Sequence, residues 1–216
     1  MKLTGGFGIV CATLVVASCA PTQAAVQELR LPPQRIVQKG YSLMPPDENG
    51  WFLGARTPHE LALRRSPDSS DQSFVILATS AGHLPPFNTN EEYLQLVNDR
   101  RLSFPRGSIM GYPHPAAKDP HQQRFKLLRY EVSADLSPKT ECALVHSTAE
   151  DTAAVRRSGE RGLMILETLE RICAHPNDKG VVVLVGYSDR YDPGREDPKF
   201  SERAMRLLRS VEFENL

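Results

Sequence analysis

The sequence predicts an α+β domain, a mostly antiparallel sheet with two amphipathic helices packed on it. Segments rich in Val, Ile, Leu, Phe and Tyr recur along the chain between turns that carry proline or glycine. Two separated stretches, one after Thr89 and one after Asp197, space their apolar residues along one face of a helix. The run from Val181 to Tyr187 is almost wholly apolar or β-branched, the composition of a central strand covered on both faces.

The elements follow in order. Residues 20 to 39 hold few bulky apolar side chains and a Pro32-Pro33 pair, and they read as a linker, so the globular body is expected over 40–216. Tyr41 to Met44 is a short extended piece stopped by Pro45-Pro46, and Glu48-Asn49-Gly50 makes a turn. Trp51 to Arg56 and Leu61 to Arg65 form a hairpin around Thr57-Pro58-His59-Glu60, and Ser73 to Ser80 is a buried strand. Thr89-Asn90-Glu91-Glu92 fits a capping box, in which the threonine oxygen and the Glu92 carboxylate satisfy free amides at a helix start. Tyr93, Leu94, Leu96 and Val97 give that helix its apolar face, and Arg100-Arg101 suit its C-terminal end. Ser103 to Gln122 has four prolines and no periodicity, so it is a loop. Strands are expected over Arg124 to Asp135, Glu141 to Thr148, Gly162 to His175 and Val181 to Tyr187. Asp197 can cap the last helix, with Pro198 at its first position, and Phe200, Ala204, Leu207, Leu208 and Val211 form one stripe. Val211-Glu212-Phe213 closes the chain as a short strand.

The chain of 216 residues suits one medium domain plus a leader. Lys+Arg and Asp+Glu both total 26 and are spread along the sequence, which gives no electrostatic footprint for nucleic acid. Met1-Lys2 is followed by an uncharged apolar run, Leu3 to Ala20, that ends in small residues. A basic start, an apolar middle and a small-residue end make a secretory signal over residues 1–18. Val16-Ala17-Ser18-Cys19 resembles the bacterial lipobox. In proteins with that motif the cysteine is modified with lipid and becomes the first mature residue, which assigns lipid attachment to Cys19. Two or more acyl chains, at about 0.8 kcal/mol per buried methylene, hold a protein stably on a bilayer. Cleavage near Ala20 or Ala24-Ala25, with Cys19 incidental, is the alternative.

Of four cysteines, Cys11 leaves with the signal and Cys19 becomes the anchor, so Cys142 and Cys173 remain in the domain. An exported pair tends to oxidise. If the two strands fold back about Arg157-Ser158-Gly159, Cys142 lies opposite Cys173, within reach of a disulfide. A zinc site is the alternative, because His146 and His175 share strand faces with the two thiols. The spacing lacks the short clips typical of such sites.

Other chemistry is sparse. The sequence has no Gly-x-Ser-x-Gly and no phosphate-binding glycine loop outside the leader. Glu91-Glu92 is better explained by helix capping than by acid-base work, and His114 and His121 lie in a proline-rich loop without ligand partners at metal spacing. No catalytic residue, cofactor site or metal site is assigned. Residues 187 to 197 leave the buried strand and enter the last helix, dense in charge. Tyr187, Arg190 and Arg195 are the candidate binding residues there, with a turn carrying surface ion pairs as the plain alternative.

From about Gly40 to Phe213 the arrangement resembles the PsbP/DcrB-like α/β/α sandwich. The resemblance rests on the proline-bounded opening strand and hairpins, the capped helix at Thr89, and the closing run Ala204 to Phe213. More narrowly it is similar to a set of bacterial lipoproteins. The shared features are Gly50-Trp51, Glu91-Glu92-Tyr93-Leu94, a paired Cys142 and Cys173-Ala174-His175-Pro176, and Tyr187-Ser188-Asp189-Arg190. The resemblance implies the fold, an envelope compartment and a binding or assembly role without catalytic residues. Together with Cys19 it leads us to expect a non-catalytic accessory protein that is anchored in the outer membrane, faces the periplasm and binds an envelope protein. An envelope enzyme or small-ligand receptor built on the loop at 187–197 is the rival.

Overall fold

A computed structural model of the chain describes residues 27–67, 70–103, 124–135 and 140–216. Cys19 with the leader, and His114 and His121 with most of their loop, lie outside the described residues. The strands are β1 (Gln27–Glu28), β2 (Ile36–Gln38), β3 (Tyr41–Leu43), β4 (Trp51–Arg56), β5 (Glu60–Arg65), β6 (Ser73–His83), β7 (Phe125–Ala134), β8 (Cys142–Val155), β9 (Arg161–His175), β10 (Asp178–Tyr191) and β11 (Glu212–Phe213). Helix α1 (Asn90–Asn98) lies between β6 and β7, and α2 (Phe200–Arg209) between β10 and β11.

Eight strands form one open sheet in the order β1-β4-β5-β6-β10-β9-β8-β7. Every neighbouring pair in it is antiparallel. A three-stranded sheet, β11-β3-β2, joins the end of the chain to its beginning. The mostly antiparallel α+β architecture is therefore present. Among the described residues no helix is long and apolar enough to cross a membrane.

β10 organises the packing. Its alternate side chains go to opposite faces. Val183, Val185 and Tyr187 join Trp51, Leu61, Leu63, Ile76 and the buried side of α2 in one core. Val182 and Leu184 join Tyr93, Leu96 and Val97 of α1, with Ala143, Val145 and Ile172, in a second core. The two helices thus cover opposite faces of the sheet.

Local chemistry fixes the helices. The Thr89 hydroxyl accepts the Glu92 amide at 3.1 Å, while the Glu92 carboxylate accepts the amide of Asn88 rather than that of Thr89, so the capping box closes one residue early. Arg100 and Arg101 lie beyond the end of α1, against the expectation, because the chain turns at Arg100 with φ of 54°. The Arg100 guanidinium instead sits 4.3 Å over the Tyr130 ring. In α2 the expected stripe is buried at Phe200, Ala204, Leu207 and Leu208. Asp197 and Pro198 precede the helix rather than start it; the Asp197 carboxylate accepts the Lys199 amide at 3.0 Å and meets Arg203 at 2.9 Å. Arg171, buried on β9, closes the other end by donating to the Leu208 carbonyl at 3.0 Å.

Three boundaries are corrected. The stretch expected to be a linker is partly folded, since β1 pairs with β4, and β2 with β3. Arg35 there donates to the Ser210 carbonyl and pairs with Glu212 at 2.8 Å. β8 and β10 run well past the expected Thr148 and Tyr187, to Val155 and Tyr191, because backbone pairing continues where the side chains turn polar. Gly186, inside β10, is where Glu170 crosses the strand; a Cβ there would lie 3.1 Å from the Glu170 Cγ.

β8 and β9 fold back through residues 156–160, and their register sets Cys142 opposite Cys173. The two are bonded as a disulfide, so neither sulfur is available to a metal. With a sequence separation of 31, the crosslink is expected to stabilise the fold by about 3–4 kcal/mol through loop-closure entropy. Urea unfolding with and without reductant measures this, and coincident midpoints would refute it.

Candidate functional site

The residues singled out between 187 and 197 do not converge. Tyr187 and Arg190 are three positions apart on one strand, so they point to opposite faces. Tyr187 is 1% exposed. Its ring lies 6.0 Å from Trp51, 6.1 Å from Phe74 and 5.8 Å from Phe200, which makes it core rather than contact surface. Arg190 lies on the α1 face, 3.4 Å from Asp151. Arg195 is exposed in the turn Asp192-Pro193-Gly194-Arg195, where Gly194 has φ of 78° and the Arg195 amide donates to the Asp192 carbonyl. One buried aromatic, one ion-paired cation and one exposed cation do not form a single site.

The two histidines weighed as zinc ligands beside the thiols, His146 and His175, each have another bond. His146 Nε2 meets Glu167 at 2.7 Å, and His175 Nε2 meets the Glu214 carbonyl at 3.0 Å. Among the described residues no group of three His, Cys, Asp or Glu side chains is arranged to hold a metal ion.

Strand parity gathers polar groups that the sequence reading missed. On the α2 face, Glu167 accepts from the Tyr191 hydroxyl at 3.2 Å as well as meeting His146. Asp189 is paired in register with Glu167 and is fully buried. The Gln72 amide donates to both its oxygens, at 3.2 and 2.9 Å. Burial pushes the Asp189 carboxyl up to about 7, helped by the negative charges of Asp197 and Glu167, while Gln72 pulls the other way. A carboxyl with that acidity can hold or release a proton near neutrality, but burial keeps it from any solvent-borne substrate. The signal for this cluster was the alternation Tyr187, Asp189, Tyr191, visible only once the strand is known to continue.

The opposite face treats its acid differently. Asp151 is also fully buried, yet Arg124 meets it with two hydrogen bonds, at 2.5 and 2.6 Å, and Arg190 approaches at 3.4 Å. The bond to Asp151 holds the Arg124 guanidinium above its ordinary acidity range, while burial lowers that of Arg190.

The remaining feature is a surface. β7 ends the large sheet and pairs only with β8 among the described residues. The Asp135 amide donates to the Cys142 carbonyl, and the register runs unbroken back to Arg129. Backbone groups of an antiparallel strand alternate in direction, so Arg129, Glu131 and Ser133 bond inward to β8, while Tyr130, Val132 and Ala134 direct N–H and C=O outward. Along the same strand Phe125, Leu127 and Leu128 are exposed apolar side chains, at 37%, 48% and 50%. An outward ladder beside a row of apolar side chains is what a strand-adding partner requires.

Neither the protein-family models nor the curated proteins contain a match to this chain.

Two predictions follow from the buried acids. Asp189 takes up its proton more readily folded than unfolded, where its ordinary value is 3.8, so its stabilising contribution is complete below about 4 and is lost as pH rises toward 7. Asp189→Asn, measured by denaturation from pH 4 to 8, is expected to flatten that decline; a constant offset from the native chain at every pH would contradict it. Asp151→Asn leaves two guanidinium groups facing an amide, at a cost of about 2–3 kcal/mol, below the fully buried case because both arginines are partly solvated. Arg195→Ala at its exposed turn is expected to cost less than about 0.5 kcal/mol, and equal losses in the two variants would reverse this ranking.

Proposed function

We propose that this chain is a lipid-anchored, non-catalytic accessory protein of the bacterial cell envelope, held through Cys19 in the outer membrane, facing the periplasm, and docking an envelope protein on β7. The outward backbone ladder of β7 with exposed Phe125, Leu127 and Leu128 carries this reading. The bonded Cys142–Cys173 pair supports export, because such bridges persist in oxidising compartments. The position of the strands fits a tether. β1, nearest in sequence to Cys19, and β7 are the two opposite edges of the sheet, so anchoring one leaves the other accessible.

The same geometry supports a PsbP/DcrB-like sandwich, since α1 and α2 cover opposite faces of one antiparallel sheet. A role in binding rather than catalysis is supported by where the polar residues lie. The buried acids on both faces are bonded within the fold, Asp189 by the Gln72 amide and Asp151 by arginine, and the predicted loop residues are dispersed.

The reading has two separable parts. Metabolic labelling with an alkyne fatty acid is expected to mark the native chain and leave Cys19→Ala unlabelled and released from membranes; a labelled, membrane-bound Cys19→Ala would remove the anchor. A photo-crosslinking amino acid at Leu128 in cells is expected to give one discrete adduct, whereas the same probe at the exposed Glu196 gives none. Adducts from 196 alone would move the docking surface away from β7.

A further inference from the structure

We propose that the occupant of this edge is a second copy of the chain, with β7 pairing antiparallel to its own counterpart about a two-fold axis at Tyr130. The inference rests on β7 being the docking edge and names what docks there.

Self-pairing of an edge strand is constrained tightly. A two-fold axis between antiparallel neighbours stands perpendicular to the sheet, so each copy presents the same face on the same side, and opposed residues must share a face. Centring the axis on Tyr130 meets that condition. It also brings the outward N–H and C=O of Tyr130 against those of its counterpart, as a hydrogen-bonded pair. On the other face Arg129 comes opposite Glu131, and by symmetry Glu131 comes opposite Arg129.

Charge selects this register from its neighbours. Moving the axis one residue toward the start of the strand sets Arg129 against Arg129, and one residue the other way sets Glu131 against Glu131. Like charges directly opposed on adjacent strands are destabilising, while opposite ones help. Within one copy Arg129 and Glu131 already meet at 2.5 Å on the strand surface, so the pair is preorganised to be shared across the axis.

Natural edges avoid pairing by being short, by charge, by bulges or by being covered, and among the described residues β7 keeps a long pairable segment beyond Lys126 and the irregularity beside Leu128. β1, at the other edge, has two residues, whereas β7 has ten and a burial pattern that is exposed along most of its length. Its one irregularity, a register shift between Leu127 and Arg129, leaves the segment from Arg129 to Ala134 regular. Joining the sheets here would place both β1 edges at the outer ends, where two tethers can reach one bilayer when the axis lies along its normal.

The test is a charge exchange on the full acylated chain in detergent, read by sedimentation with the detergent contribution subtracted. The native chain is expected to be a dimer. Arg129→Glu alone and Glu131→Arg alone are each expected to weaken dimerisation at least tenfold, and the two together to restore it. Both positions are exposed, and an unchanged far-ultraviolet circular dichroism spectrum would show that each variant still folds. A native chain that is monomeric, a dimer indifferent to the single changes, or failure of the double change to restore pairing would each overturn the proposal. The Leu128 photo-adduct separates this inference from the reading beneath it. A mass of twice the chain supports self-pairing, whereas a different mass keeps β7 as a docking edge and rejects the second copy as its occupant.

Discussion

Two-sided burial of β10 is the constraint on which the rest of the structure depends. A strand that sends alternate side chains into two separate cores cannot sit at an edge, and it needs a cover on each face. Here α2, with the small β11-β3-β2 sheet beside it, covers one face, and α1 covers the other. β10 also joins two halves of the sheet that the chain builds separately. β4, β5 and β6 form one meander and β7, β8 and β9 another, and β10 is hydrogen-bonded to β6 on one side and β9 on the other. A one-residue slip of β10 would exchange Val183, Val185 and Tyr187 for Val182 and Leu184 and so spoil both cores at once. The disulfide reinforces this arrangement, because it fixes β8 on β9 at the level of Val183 and so fixes the second meander against which β10 must register.

The two buried carboxylates show how that frame manages charge. Asp151 and Asp189 are both fully buried, and they lie on opposite faces. A buried carboxylate must either be compensated by cations or take up a proton. Asp151 has two guanidinium groups and remains an ion pair. Asp189 has the neutral Gln72 amide and the acidic neighbours Asp197 and Glu167, so its proton is retained to about pH 7. The difference lies in the cross-strand neighbours rather than in depth. That places both acids in the account of stability and leaves neither exposed to reacting molecules.

Local pattern carried much of the fold. The spacing of Cys142 and Cys173 about residues 157–159 was enough to place them opposite one another, since an antiparallel hairpin has a single midpoint. The stripe Phe200, Ala204, Leu207, Leu208 announced α2, and the run Val181 to Tyr187 announced a strand buried on both sides. What stayed hidden depended on partners far along the chain. Gln27–Glu28 and Ile36–Gln38 look like linker because their side chains are mostly polar, and only backbone pairing to β4 and β3 makes strands of them. The polar ends of β8 and β10 were lost for the same reason. Once β10 was read as stopping at Tyr187, the parity that separates Tyr187 from Arg190 could not be seen, and three residues on different surfaces passed for one loop. Asp151 and Asp189 gave no warning, because nothing local distinguishes a buried aspartate from a solvated one.

Where the sheet ends follows from how it is assembled. The second meander begins at its outside strand and works inward, from β7 through β8 and β9 to β10, so its first strand has one neighbour among the described residues. The first meander ends against β1, which is two residues long and offers almost no ladder. One edge is therefore closed by shortness while the other runs for ten residues. Interior burial cannot explain Phe125, Leu127 and Leu128 on that strand, for they contribute to neither core. A solvent edge under no other demand would favour charge at those positions. Their place beside outward-facing amides is the feature of this fold that its own packing does not account for, and it is the one on which the proposed docking rests.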